Sequence, residues 1–526
     1  MNRRSIVGCC LTILLYVGRV PVWAQSPIIP QDVTANIRAR VTNGFTPGIV
    51  VGMINSNGTT YFSYGVGNLD GGSPVNEDSV FEIGSITKTF TCTVLSELVL
   101  SGNLRLSDPA QNYVPSGVRV PSRNGKLITL QHLATHYSGL PRLPTNIAPT
   151  NVLNPYVDYT VQNLYDFLNT YQLPRDPGAS FEYSNLGMGF LGYLLTLDTG
   201  LDYETMIAQR VTQPLGMNDT GITLNARMLA NLAHGYTGVV PVQNWEFGPA
   251  TAGAGALRST ARDLLHYVAA NMGLAPTALY PAMTNAHAIL AGSFPGSSIG
   301  LAWFTTPLPG DQMIWHDGAT GGYTCFAGYL QNRKLGVVVL GNSDFDVDDL
   351  GVHLLYAAQP LTSIPQNFPM SLDTLRSCVG RFQLADGTYF DIGLTHGYLT
   401  AAYSSDNGIA LTLYPSSFLS FFADTLSVQG TAVFATNSQG QVDQLLWTQN
   451  GASVPCSRIA LPARLAIQHG NGATTVSFTG DTAVSYVLEA GADLVHWLPI
   501  STNTIWSVPV IDTNQMSSRF YRLRRP

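Results

Sequence analysis

The clearest pattern begins at Pro47. An unbroken apolar run, Ile49 to Ile54, meets the turn Asn55-Ser56-Asn57-Gly58, and Thr59 to Gly65 returns as a second strand. That predicts a β-hairpin, and residues 30–80 as a whole carry strand signals. The period then changes. Ile86, Phe90, Val94, Leu95 and Leu98 fall at helical spacing and Gly102 stops the run, which predicts a buried helix. A second helix is predicted over Leu127–Pro141 and a third over Met188–Leu197. Asp311–Tyr323 alternates as a strand that ends in glycines, with His316 and Gly318 on one face and Asp317 on the other. Gly336–Leu340 reads as the last strand of this part, closed by a helix near Val352–Ala357.

Downstream the pattern is different. Leu361–Leu372 carries Pro365 and Pro369 and reads as a linker. Residues 373–460 break into short strands separated by Asp386-Gly387, Ser405-Asp406-Asn407-Gly408 and Asn437-Ser438-Gln439-Gly440, as in a small barrel or sandwich. Residues 463–524 form a further all-β stretch. The expected divisions are a leader at 1–24, a main domain at 25–360, a linker at 361–372, a barrel at 373–460 and a C-terminal β-sandwich module at 461–526. At 526 residues the chain is too long for one ordinary core.

Composition narrows the setting. The chain is 45% hydrophobic and only 11% charged, so it is globular rather than a disordered polyelectrolyte. Met1-Asn2-Arg3-Arg4, a short apolar run from Ile6 to Gly18, and Val22-Trp23-Ala24 have the make-up of a secretory leader cut after Ala24. Export to the periplasm or medium follows, with no stable membrane span afterwards. Loss of Arg3, Arg4 and Arg19 takes the net charge from -7 to -10, which argues against a nucleic-acid partner. Cys378 and Cys456 bracket one segment and are candidates for a disulfide. Cys92 and Cys325 sit in apolar patterns as buried thiols.

Candidate chemistry lies at the start of the first helix. Ser85 and Lys88 are three residues apart, so a helix brings hydroxyl and amine to one face. A partly neutral lysine can take the serine proton. Tyr183 and Asn185 stand two apart before the third helix, a phenol that can relay a proton and an amide that can hold a carbonyl. His316 and Gly318 lie on a strand against which a substrate backbone could rest. Two other patterns carry less. His132 and His136 are four apart but no Glu follows His132, so they read as structural or capping groups rather than zinc ligands. Gly296-Ser297-Ser298-Ile299-Gly300 has the spacing of a nucleophile elbow but continues as a strand where a helix is needed.

Ser85-x-x-Lys88, Tyr183-x-Asn185 and His316-x-Gly318, in that order, resemble the three motifs of the penicillin-binding and serine β-lactamase superfamily, and the tyrosine resembles its class C branch. Leu104–Pro109, Thr135–Pro141, Gln213–Met217 and Ala254–Thr260 fit the same pattern, over roughly residues 30–360. The resemblance implies an α+β fold, an antiparallel sheet flanked by helices with an all-helical subdomain. Cys378-Val379-Gly380-Arg381-Phe382 looks like the lipocalin-like domain that often follows such hydrolases. The resemblance of the three motifs further implies Ser85 as nucleophile, Lys88 as base, Tyr183 as proton relay, Asn185 as amide clamp, and the backbone N–H groups of Ser85 and Ala319 as an oxyanion hole, with no metal or cofactor. His316 departs from the lysine of class C β-lactamases: at a reference pKa of about 6.5 it is mostly neutral at pH 7, where lysine is a permanent cation. The reading favoured is therefore an exported acyl-enzyme hydrolase of D,D-peptidase or D-aminopeptidase type, acting on small or peptide substrates such as peptidoglycan. A class C-like β-lactamase, a carboxylesterase on the same scaffold and a silent cell-wall binding protein are the alternatives.

Overall fold

The computed structural model describes residues 25–405, 410–424, 429–460 and, towards the C-terminus, 464–470, 473–479, 486–492, 495–503, 510–512 and 520–524. The expected leader at 1–24 lies outside the described residues.

The centre is an eight-stranded antiparallel sheet. Its strands are β1 (Gly48–Asn55), β2 (Gly58–Gly65), β3 (Ala291–Gly292), β4 (Ser298–Ile299), β5 (Phe304–Leu308), β6 (Asp311–Ala319), β7 (Thr324–Leu330) and β8 (Leu335–Gly341). They run in the order β2-β1-β8-β7-β6-β5-β4-β3. The predicted hairpin is β1–β2, paired from Gly48↔Gly65 to Asn55↔Gly58. Both faces are covered, so the inner strands are apolar throughout rather than alternating. On one face Ile49, Val51, Val337 and Val339 pack with Val33, Ile37, Leu350 and Leu354. On the other Val50, Val338 and Leu340 pack with Phe90, Leu264 and Val268.

The first face is covered by α1 (Gln31–Thr42), the second by α2 (Thr87–Leu100) and other helices. Helix α1 corrects the strand reading of this stretch. Its buried positions are Val33, Ile37 and Arg40, so one of its three inward residues is charged and the apolar period is broken. Arg40 is satisfied by Asp349, at 2.6 Å, and by the carbonyl of Asp346. Helix α2 is buried from Thr87 to Ser96, as a helix surrounded on all sides must be. The helix predicted over Leu127–Pro141 is much shorter, α3 (Leu130–Ala134), because His136 adopts a left-handed φ of 62°. Helix α4 (Asn185–Thr199) begins three residues earlier than predicted, so Asn185 is its first residue. Helix α5 (Ala261–Met272) packs beneath the sheet, and α6 (Asp348–Leu355) starts earlier than the Val352 expected.

Helix α7 (Leu372–Cys378), capped by the Ser371 hydroxyl, leads into a closed barrel of eight successive antiparallel strands from Gly380 to Ile459. Closure is made by the last strand pairing with the first, Phe382↔Arg458 among others. Its interior is filled by Phe382, Phe390, Phe421, Phe434, Leu445 and Trp447. Cys378 and Cys456 belong to this core as free thiols, which corrects the expected disulfide. Their Sγ atoms face different carbonyls, those of Thr374 and Val454, and pack as small apolar groups. The barrel rests on the main part through Tyr414, stacked on Phe45 at 4.3 Å, and Thr412, which bonds Val239 and Thr237 of the ribbon Gly235–Thr237/Val240–Val242. Among the described residues between Arg464 and Arg524, six further strands form two small sheets.

Candidate active site

The turn Gly84–Ile86, a single turn of 3-10 helix, joins the short strand Val80–Glu82 to α2. It puts Ser85, half-buried, one helical turn before the wholly buried Lys88. The lysine Nζ donates to Ser85 Oγ at 2.7 Å and to the Ala254 carbonyl at 2.6 Å. Burial holds the amine well below the usual lysine range, with Asp317 pulling the other way. A serine hydroxyl and a lysine that gives up its proton readily are thus in direct contact.

Tyr183 closes over this pair. Lys88 Nζ lies 5.0 Å from the centre of its ring. Although the ring is partly accessible, its hydroxyl is enclosed, and burial together with Asp317 pushes the phenol up while a hydrogen bond with Ser85 opposes the shift. The tyrosine is held by His136, whose ring packs on it at 4.4 Å and whose Nδ1 accepts the Ser184 N–H at 3.1 Å. Burial drives His136 well below the ordinary imidazole range, so it is neutral. Ser184 caps α4 through the Gly187 N–H and anchors to the Pro141 carbonyl. Asn185 follows, its amide donating to the Tyr156 hydroxyl at 3.1 Å while its buried Oδ1 meets no partner among the described residues.

Strand β6 supplies the opposite wall. A Cβ on Gly318 would stand 2.1 Å from the Ile83 carbonyl oxygen and 3.3 Å from the Ser85 nitrogen, and one on Gly84 would stand 2.8 Å from the Ala319 nitrogen. Two glycines therefore let the backbone of the serine turn lie directly on the strand, so that the peptide groups of Ser85 and Ala319 are neighbours. Strand β5 pairs with β6 only as far as Trp315, whereas β7 pairs with it on to Ala319. The edge from His316 to Ala319 is left open beside Ser85. His316 is wholly buried, between Phe304 at 5.1 Å and Tyr183 at 6.4 Å. Burial lowers it to about 4, against the pull of Asp317.

All seven residues singled out in the sequence are thus gathered around one turn. The other two patterns are structural. His132 completes a capping box with Thr129, and Ser298 is a strand residue paired with Gly292 and Thr305. Arg142, its guanidinium 5.3 Å from the Tyr183 ring centre, and Tyr156, the partner of Asn185, were not foreseen. Arg142 directly follows the stretch ending at Pro141, but Tyr156 lies in a loop without periodicity.

The pattern of the beta-lactamase family matches residues 33–360. The chain is 27% identical over 351 residues to a beta-lactamase of Pseudomonas fluorescens, covering 60% of this chain and 94% of that one. It is 29% identical over 339 residues to the D-alanyl-D-alanine-carboxypeptidase/endopeptidase AmpH of Escherichia coli K12, covering 61% and 86%. In fold it is similar to the octameric penicillin-binding protein homologue from Pyrococcus abyssi, with a TM-score of 0.56 and 23% identity over 81% of this chain and 99% of that one. The chain belongs to the beta-lactamase family and is a serine hydrolase.

Proposed function

We propose that this protein is an exported hydrolase that cleaves amide bonds of D-amino-acid peptides, of the kind found in peptidoglycan, through an acyl-enzyme on Ser85. The observation that carries the reading is the 2.7 Å contact between the Ser85 hydroxyl and a buried Lys88 amine. Lys88 takes the hydroxyl proton as Oγ bonds to the substrate carbonyl carbon. The backbone N–H groups of Ser85 and Ala319 receive the oxyanion, a contribution of about 3–4 kcal/mol per donor. The C–N bond then breaks, Tyr183 passes a proton to the departing amine, and water hydrolyses the remaining ester. Asn185 holds the acyl-side amide. The relative from Escherichia coli, a D-alanyl-D-alanine-carboxypeptidase/endopeptidase, supports the substrate class, and the leader-like first 24 residues support export.

The test is covalent labelling. The purified protein should be modified at Ser85 by a fluorescent fluorophosphonate, located by peptide mass mapping, and Ser85→Ala should abolish the label. Failure of the unsubstituted protein to label at Ser85 would sink the acyl-enzyme reading. Turnover of D-alanyl peptides ahead of nitrocefin and short acyl esters is expected. The reverse order would favour the β-lactamase or the esterase alternative.

A further inference from the structure

His316 Nδ1 lies 2.6 Å from the carbonyl oxygen of Asp317. A carbonyl only accepts, so Nδ1 carries the proton and, in the neutral ring, Nε2 holds a lone pair. That nitrogen is fully buried and meets no partner among the described residues. A buried acceptor left in this state carries the cost of its lost hydration until a donor reaches it. Beside it stands the Asp317 carboxylate, 43% exposed and 3.6 Å from Nδ1. It belongs to the open edge of β6 beside Ser85, and its charge bears on Lys88, Tyr183 and His316 together. Arg142 opposes that charge at Lys88 and Tyr183 and also bears on His136 and Tyr156, at the Asn185 side of the cleft, whereas at His316 Asp317 is the acidic neighbour and Arg142 does not act. The site therefore presents acceptors and an anion along β6 and a cation near the amide clamp.

We propose that Asp317 and the neutral His316 make the leaving-group side of the cleft select hydrogen-bond donors and cations, so that the favoured bond is one whose departing amine carries no free carboxylate. The inference rests on the reading of Tyr183 as the group that protonates the departing amine. Within D-amino-acid peptides it directs the enzyme to internal bonds, amidated ends and leaving groups with a second amine, and away from a terminal D-alanine.

The experiment uses the full chain and three N-acyl-D-alanyl substrates whose leaving amines are D-alanine, D-alaninamide and 1,2-diaminoethane. The expected kcat/KM rises in that order, with about tenfold or more between the first and the last, equivalent to about 1.4 kcal/mol. Asp317→Asn should shrink that ratio about fivefold by removing the anion. Raising the salt concentration should shrink it in the unsubstituted protein too, a control that needs no variant. A ratio of one or less, or one unmoved by both Asp317→Asn and salt, overturns the proposal. If Ser85 is labelled by fluorophosphonate and terminal D-alanine is nevertheless preferred, the inference fails while the acyl-enzyme reading stands. If Ser85 resists labelling and none of the three is cleaved, both fall together.

Discussion

Gly318 has no room for a side chain: the nearest atom a methyl group would meet is the Ile83 carbonyl oxygen, at 2.1 Å. Backbone cannot swing aside as a flexible side chain can, so Gly318→Ala must push β6 away from the serine turn. The protein is expected to fold, because the strain is local, but to acylate at least about a hundredfold more slowly, as when an oxyanion donor is lost. Stopped-flow labelling would measure this, and acylation within a few fold of normal would show that the two peptide groups do not act together. The same residue marks how far sequence reasoning could go. His316-x-Gly318 was legible as a motif because both residue types are unusual on a buried strand. The reason for the glycine was not legible, since it depends on Ile83, 235 positions away.

Among the elements, α4 positions more of the site than its length suggests. Ser184 at its cap accepts the Gly187 N–H at 2.8 Å and donates to the Pro141 carbonyl at 2.7 Å, with Tyr183 before it and Asn185 after it. Ser184→Ala removes both bonds and should cost about 1–2 kcal/mol of stability, read as a lower Tm. Acylation should slow as well, since the cap fixes the direction in which both neighbours point; unchanged acylation at lower Tm would mean the cap is only structural. Elements with an unbroken period were readable here: α2, the β1–β2 hairpin and β6. Those missed had a physical cause. In α1 a buried arginine replaces an apolar residue, and α3 is cut short by the left-handed His136. That conformation is uncommon for a residue with a side chain, and no local pattern announces it. The thiols of Cys378 and Cys456 were misjudged because sequence position cannot tell which way each points inside a barrel.

At the scale of the molecule, three imidazoles link the fold to pH, those of His136 and His316 buried and that of His287 on a half-buried residue. Burial lowers His136 strongly, His287 to about 3 and His316 to about 4. Their values in the unfolded chain are near 6.5, so between about 6.5 and 4 the unfolded state binds more protons. Stability from these groups is therefore complete above about pH 6.5 and is lost as the pH falls. Thermal unfolding should show Tm dropping by several degrees over that interval, and a flat profile would mean that these imidazoles take up protons in the native state. The open edge of β6 has one more consequence. Its four residues span about 13 Å, too short to template a stable strand from another copy, and Asp317 places a charge on it, a device by which sheet edges resist aggregation. The cleft thus keeps an open strand edge without inviting its own kind. A peptide laid along this edge would meet it through main chain, the part all peptides share, so the edge itself would set no demand on side chains.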